Sequence, residues 1–262
     1  MRILTIGDIN GEDGREFIYN NLGRIISKYK IDFCVANGEN AADSNGITHN
    51  IAQCLLNCGV DVITMGNHTF SHKESASVLD ENDKVIRPLN FPSEVEGSGY
   101  AIVDLGFASV CVVNLIGRVS MSPVDCPFHA IERLLPKLDT NIILVDMHAE
   151  ATSEKLAMAY FLDGKVSVVF GTHTHIQTAD ERILQNGTGY ITDLGMTGVE
   201  DSVIGVKKEI IIDMFYNSAK RFRFEKAHGE VKFNGCIFDI DEKSGKCTAV
   251  QRLCFDRLNS ED

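Results

Sequence analysis

The sequence is short of positive charge. Lys and Arg total 25 against 37 Asp and Glu, a formal charge of −12, so the chain as a whole has no broad attraction for polyphosphates or acidic membrane surfaces. No stable nucleic-acid complex is expected. Long apolar runs are missing too: each stops at a polar residue far short of the ~20 positions a bilayer-spanning helix needs, so no membrane partner is expected. The N-terminal MRILTIGD has one basic residue and a short apolar run ended by Asp8, without the apolar core and cleavage site of a secretion signal. A cytoplasmic protein is expected. None of the eight cysteines falls in a CxxC pair, and several sit in apolar runs as small hydrophobes would, which predicts free thiols. No stretch is polar and Pro/Gly/Ser-rich enough to be a linker, which predicts one domain over residues 1–262. Gly11-Glu12-Asp13-Gly14 lacks the Lys-Ser/Thr of a phosphate loop and reads as the turn into a helix.

What is present is an alternation of short β-like runs and amphipathic stretches. Five runs, Ile3 to Ile6, Phe33 to Ala36, Val60 to Thr64, Ile142 to Met147 and Val166 to Phe170, are apolar and largely β-branched, as strands buried on both faces should be. Ile18, Leu22, Ile25, Ile26 and Tyr29 recur at helical spacing, as do Ile51, Leu55 and Leu56 before Gly59. A further helix is predicted from about Ser153 to Leu162, capped by Thr152 and Ser153 and stopped at Asp163-Gly164. After about residue 187 the texture turns to strands and turns, with Val231 to Ile240 and Cys247 to Phe255 flanking a turn, and this predicts a second sheet. The expected fold is α/β, a four-layer α/β/β/α sandwich of two mixed sheets. Residues 115–136, with Pro123, Pro127 and Pro136, read either as a lid over a site or as an ordinary crossover loop.

Each of the five runs ends at a residue able to hold a metal, and ligands of open α/β sheets bind at the carboxyl ends of strands. The first delivers Asp8, the second Glu39 and Asn40, the third Asn67 and His68, the fourth His148, and the fifth His173 and His175 in Gly-Thr-His-Thr-His. If the backbone stays extended, the last two histidines project to one side. Oxygen donors with imidazoles suit iron, manganese or zinc better than magnesium or calcium. Singly, each piece has a plainer reading: Asp8 as a cap, Gly66-Asn67-His68 as a surface turn, His148 as a hydrogen-bonded core histidine. Their joint order favours the metal reading. His49, His72, His129 and His228 fit no ligand order. The cluster Lys220, Arg221, Arg223 and Lys226 alternates with Phe222 and Phe224 and reads as an edge strand with a solvated face.

Asp8, then Gly-Glu-Asn, Gly-Asn-His, a single His and Gly-Thr-His-Thr-His resemble the calcineurin-like metallophosphoesterases. The stretches 37–48, 147–155, 171–184 and 189–205 are similar to signature stretches of the YmdB-like branch. That resemblance implies a cytoplasmic bacterial phosphodiesterase of 2′,3′- or 3′,5′-cyclic mononucleotides with two metal ions, iron first and manganese or zinc as alternatives. Carried over, Glu39 bridges the metals, Asp8 and His175 complete one site with Asn40 as a further candidate, and Asn67, His148 and His173 complete the other. The wider superfamily has Asp-x-His at the first strand and a bridging Asp, where this chain has Asp8-Ile9-Asn10 and Glu39. Asn10 is therefore read as a neighbour.

Two metals about 3.5–4 Å apart activate a shared water, and the expected reaction is attack of metal-bound hydroxide on phosphorus with His68 as general acid. Asp146 or Glu150 is expected to orient an imidazole, or else to face solvent. A phosphomonoesterase or nucleotidase with the same centre, and a non-hydrolytic nucleotide-binding regulator, are the competing readings. A homo-oligomer is compatible with the sequence.

Overall fold

The computed structural model describes residues 1–217 and 222–256; Lys220 and Arg221 of the basic cluster lie outside them. In chain order the elements begin with β1 (Arg2–Ile6), β2 (Asp8–Ile9), α1 (Gly11–Tyr29), β3 (Phe33–Asn37), α2 (His49–Asn57), β4 (Val62–Thr64), α3 (Ser75–Glu81) and β5 (Val85–Ile86). There follow β6 (Tyr100–Asp104), β7 (Ser109–Ile116), α4 (Pro127–Leu134), β8 (Ile142–His148), α5 (Thr152–Leu162) and β9 (Val168–Thr172). The chain continues through β10 (Arg182–Ile183), β11 (Gly189–Ile191), β12 (Met196–Val199), α6 (Lys208–Tyr216), β13 (Val231–Ile240) and β14 (Cys247–Phe255).

Two mixed sheets result. One runs β2-β12-β13-β1-β3-β4-β5, with β14 on β13; the other runs β10-β11-β9-β8-β7-β6. β1, β3, β4 and β5 are parallel, and β13 returns antiparallel to β1 with Ile3 opposite Phe238. The pleat sends alternate side chains to opposite faces. In β1, Ile3 enters a core shared between the sheets, with Phe33, Val112, Leu144, Phe170 and Phe238, whereas Leu4 and Ile6 pack under α1 and α2 with Ile18, Leu22 and Leu55. On the far side Val113, Val145 and Val169 pack under α4 and α5 with Ile131, Met158 and Leu162. The four layers are therefore those read from the sequence.

Their membership is not. The strands Val231–Ile240 and Cys247–Phe255 do not start the second sheet; they extend the first, because β13 pairs with β1. The second sheet begins at Tyr100, with β6 and β7, which lie outside the five expected runs, and takes in β8 and β9. In residues 115–136, β7 continues to Ile116, and α4 contributes Ala130, Ile131 and Leu134 to the outer core. The start of α5 also differs: Ala151 is the N-cap and makes no side-chain bond, so Thr152 and Ser153 are helical residues and not caps. Thr48, by contrast, accepts from Ile51 N at 3.2 Å and caps α2. All eight cysteines are free, and no helix among the described residues is long and apolar enough to cross a membrane.

Phe238 is fully buried in the core between the sheets. Phe238→Ala should cost about 3–5 kcal/mol in urea unfolding; a loss below about 1 kcal/mol would mean that the sheets do not depend on that core.

Candidate metal centre

The ends of β3, β4, β8 and β9 and the short β2 meet at one edge of the sandwich. Around His148 Nε2 stand Asn67 Oδ1 at 2.9 Å, Glu39 Oε1 at 3.1 Å and His173 Nδ1 at 3.1 Å. A second group lies beside it: Asn40 Nδ2 is 3.3 Å from Glu39 Oε1 and 3.1 Å from His175 Nε2, which is 3.7 Å from Asp8 Oδ1. All seven residues read from the sequence as ligands thus come together, with Glu39 between the two groups. In the orientation present, Asn40 faces the others with its amide nitrogen; a turn of the amide plane would present the oxygen.

Each imidazole has one nitrogen aimed inward and the other held. Thr172 Oγ1 gives its proton to Asp146 Oδ1 at 2.7 Å, so it can only accept from His148 Nδ1 at 2.9 Å, and Nε2 is left for the centre. His175 Nδ1 donates to Ile204 O at 2.9 Å, and His173 Nε2 lies 3.2 Å from Glu150 Oε2. Asp146 is fully buried and also accepts from Thr64 Oγ1 at 2.6 Å, so it orients His148 through a threonine and is no solvent-facing charge.

His173 and His175 do not reach the centre along an extended strand. β9 ends at Thr172, and both residues have positive φ, 100° and 66°. Side chains rarely adopt that region, at a cost of about 1–3 kcal/mol each, so the turn must be held from outside. Asp193 Oδ2 accepts from Thr174 N at 3.2 Å and Thr174 Oγ1 at 2.8 Å, and pairs with Lys155 Nζ at 2.5 Å. Lys155 and Asp193 are both buried. Nothing in the sequence marked this pair, since Lys155 occupies a helix position where a lysine ordinarily reaches solvent.

The electrostatics call for a cation. Burial pushes the Asp8 carboxyl up to about 8 against the pull of His148, with Asp193 and Glu39 adding to the rise. Burial alone would lower His148, but Glu39, then Asp8 and Asp146, carry it up to about 9. His148 in turn outweighs burial at Glu39, holding it down at about 2. Burial and then His148 take His173 down to about 3. Asp8 Oδ1 is buried without a hydrogen-bond partner, and three lone-pair atoms crowd His148 Nε2, where one proton can serve only one of them. Bound metal ions would satisfy all of these atoms at once, and the carboxylate and imidazole donors suit them. Ligand atoms of Glu39, His148 and His173 lie within 4.8 Å of one another.

Beside the centre opens a cleft of about 330 Å³ lined by His68, Asn10, His175, Phe224 and Lys226 among others. His68 N donates to Glu39 Oε2 at 2.8 Å, and its Nδ1 is 3.2 Å from Ser71 Oγ. Asn10, the N-cap of α1, makes no capping bond; its amide lies 3.4 Å from His175 Nδ1 and its oxygen accepts from Lys226 Nζ at 3.0 Å. Lys226 therefore does not lie on a solvated edge-strand face. Residues 222–225 form no strand, and a single antiparallel bridge from Val206 to Lys226 carries the lysine to the centre, where burial lowers its ammonium to about 8.

Layering and ligand order put the molecule in the metallophosphoesterase class. Within it the chain belongs to the family described as YmdB-like protein, whose model matches residues 4–253. A 2′,3′-cyclic-nucleotide 2′-phosphodiesterase of Bacillus subtilis (strain 168) is 43% identical over 255 residues, covering 97% of this chain and 96% of that protein. Two crystal structures superpose closely. A hypothetical protein of Thermus thermophilus has a TM-score of 0.92 at 38% identity over 98% of this chain and all of that one. A phosphatase of Mycoplasma pneumoniae has a TM-score of 0.91 at 35% identity over 97% of this chain and 93% of that one.

A Cβ at Gly66 would collide with His148 Nε2 and Glu39 Oε2. Gly66→Ala should therefore retain the far-UV spectrum and lose bound metal by elemental analysis; full metal content would contradict the crowding described. Lys155→Met strands the buried Asp193 and should destabilise the fold by about 3–5 kcal/mol. An unchanged melting temperature would show that the pair holds nothing.

Proposed function

We propose that the protein is a dinuclear metal-dependent phosphodiesterase that hydrolyses nucleoside cyclic phosphates, 2′,3′-cyclic ones first. The observation that carries this is the convergence of Glu39, Asn67, His148 and His173 on one point, with Asp8, Asn40 and His175 beside it, at the mouth of the cleft that holds His68. The near-full-length identity to the Bacillus subtilis enzyme supports the substrate class. His148, His173 and Asn67 would hold one ion and Asp8 and His175 the other, with Glu39 between them and Asn40 a further ligand of the second. Iron is the first expectation, with manganese or zinc as alternatives.

When bound, such ions lower the pKa of water and neutralise charge building on a phosphoryl group. The chain's own part is to hold and orient. Asp146, through Thr172, fixes the His148 ring; Ile204 O fixes His175; Asp193 and Lys155 hold the turn between His173 and His175. His68 supplies the proton. Its backbone is tied to Glu39, its Nδ1 faces Ser71 and the residue lines the cleft, so Nε2 is the nitrogen that would give its proton to the leaving oxygen. Hydrolysis adds water across phosphorus and one ester oxygen: the water oxygen bonds phosphorus, the bond to the ester oxygen breaks, that oxygen takes the His68 proton, and the proton released by water restores His68. From a 2′,3′-cyclic phosphate, cleavage at the 2′ oxygen yields a 3′-monophosphate.

The test is turnover of 2′,3′- and 3′,5′-cyclic nucleotides, an aryl diester and its matched monoester by metal-quantified protein, with His68→Ala beside the wild type. Diester turnover should fall by roughly 10²–10⁴ in His68→Ala at unchanged metal content. An equal loss of metal and activity would make His68 structural or a ligand. Faster turnover of the monoester would favour a phosphomonoesterase, and binding of cyclic nucleotide without hydrolysis a regulatory protein.

A further inference from the structure

The cleft beside the metal centre has two chemically different ends. Toward the centre it presents Lys226 bonded to Asn10, whose amide lies by His175; two residues from Lys226 it presents Phe224, 58% exposed to solvent. We propose that this cleft is the nucleotide subsite, with Lys226 binding the phosphate of the substrate and Phe224 stacking on its base. The proposal rests on the cyclic phosphodiesterase reading and names the residues that recognise the substrate's two parts.

Lys226 is suited to an anion by what its neighbours do. The other cations near the centre are spoken for: Arg15 binds Ala41 O and Asp43, and Lys207 pairs with Glu225 at 2.7 Å. Lys226 has three donors, and among the described residues it makes one bond, to Asn10, and no carboxylate forms an ion pair with it. Its stem packs toward Gly11, and its backbone is pinned by Lys207 N to Glu225 O at 3.0 Å and Ala227 N to Gly205 O at 2.9 Å. The ammonium is thus a fixed, half-buried positive charge a short way from the groups that would hold metal. A chain with a net charge of −12 needs such a local cation to draw a phosphate dianion or monoanion inward.

Phe224 is two residues away. It is exposed and lines the same cleft, and an exposed ring of this kind has a sequence-tolerant attraction for any planar base. Asp43, Ser44 and Asn45 add polar groups to the lining, with Asn45 turned into the left-handed region at φ 62°. Phosphate toward the metal centre and base toward Phe224 is the orientation that this asymmetry favours.

The test compares 2′,3′-cyclic AMP with glycerol 1,2-cyclic phosphate, which has the same five-membered phosphodiester ring and no base, using full-length metal-loaded protein. In Phe224→Ala the ratio of kcat/KM for cyclic AMP to that for the base-free ring should fall about tenfold, chiefly through KM. Lys226→Met should lower kcat/KM for both substrates together by about 10–100-fold, and Lys226→Arg should recover most of it. An unchanged ratio in Phe224→Ala, or unchanged constants in Lys226→Met, overturns the subsite; so does loss of metal from Lys226→Met, which would place Lys226 in the metal shell. If the wild type hydrolyses neither substrate, the phosphodiesterase reading fails, and calorimetric binding of adenosine 3′-monophosphate and inorganic phosphate then decides the subsite separately. Phe224→Ala should weaken the nucleotide alone and Lys226→Met both ligands; equal affinities in all three proteins overturn it.

Discussion

Three lone-pair atoms facing one imidazole nitrogen at about 3 Å repel one another unless positive charge stands among them, and the architecture around His148 is organised by that constraint. Glu39 Oε1, Asn67 Oδ1 and His173 Nδ1 cannot share a single proton. Nor can the buried carboxylate of Asp8, with one oxygen unpartnered, be carried at no cost in a dry interior. A cluster so unfavourable by itself is informative because folding has to hold it in place. The atoms that hold it, Asp146 with Thr172 and Asp193 with Lys155, are buried and arranged around the ligands and do not enter the cleft.

The holding is done by the sheets. Parallel strands β3, β4, β8 and β9 release their chains at one edge, so side chains from both layers meet there without long excursions. Residues that would ordinarily serve local structure are diverted. Asn10 sits at the start of α1 and caps nothing, because its amide bonds Lys226 and lies near His175. His173 and His175 accept a left-handed backbone that glycine would take more readily. The departures from local preference gather where chemistry is expected, as strain in a stable fold generally does.

Much of this could be read in advance, and the reasons differ by element. The five strand runs were legible because buried parallel strands are dense in β-branched residues, and the helices because Ile18, Leu22 and Ile25 keep a 3.6-residue period. The residues that gather at the centre were legible as candidates because each follows such a run within a few positions. β6 and β7 escaped the pattern of runs ending in ligand-type residues, although β7 is as buried as the others. That His173 and His175 come to one place was legible and their backbone was not, since an extended and a left-handed path both bring two alternate residues together.

By itself the sequence determined the kinds of donor at the centre, their order along the chain, the layering of helices and strands, and the family. The first three follow from local composition and period, which each segment carries within itself, and the family from the resemblance of its motif stretches. Only the tertiary structure decided that β13 and β14 join the first sheet, that Lys155 is buried against Asp193, and that Lys226 reaches Asn10. Each of those is a contact between residues far apart in the chain, as with Ile3 opposite Phe238. Whether two such segments meet depends on the free energy of the whole packed arrangement, so no window of sequence contains it.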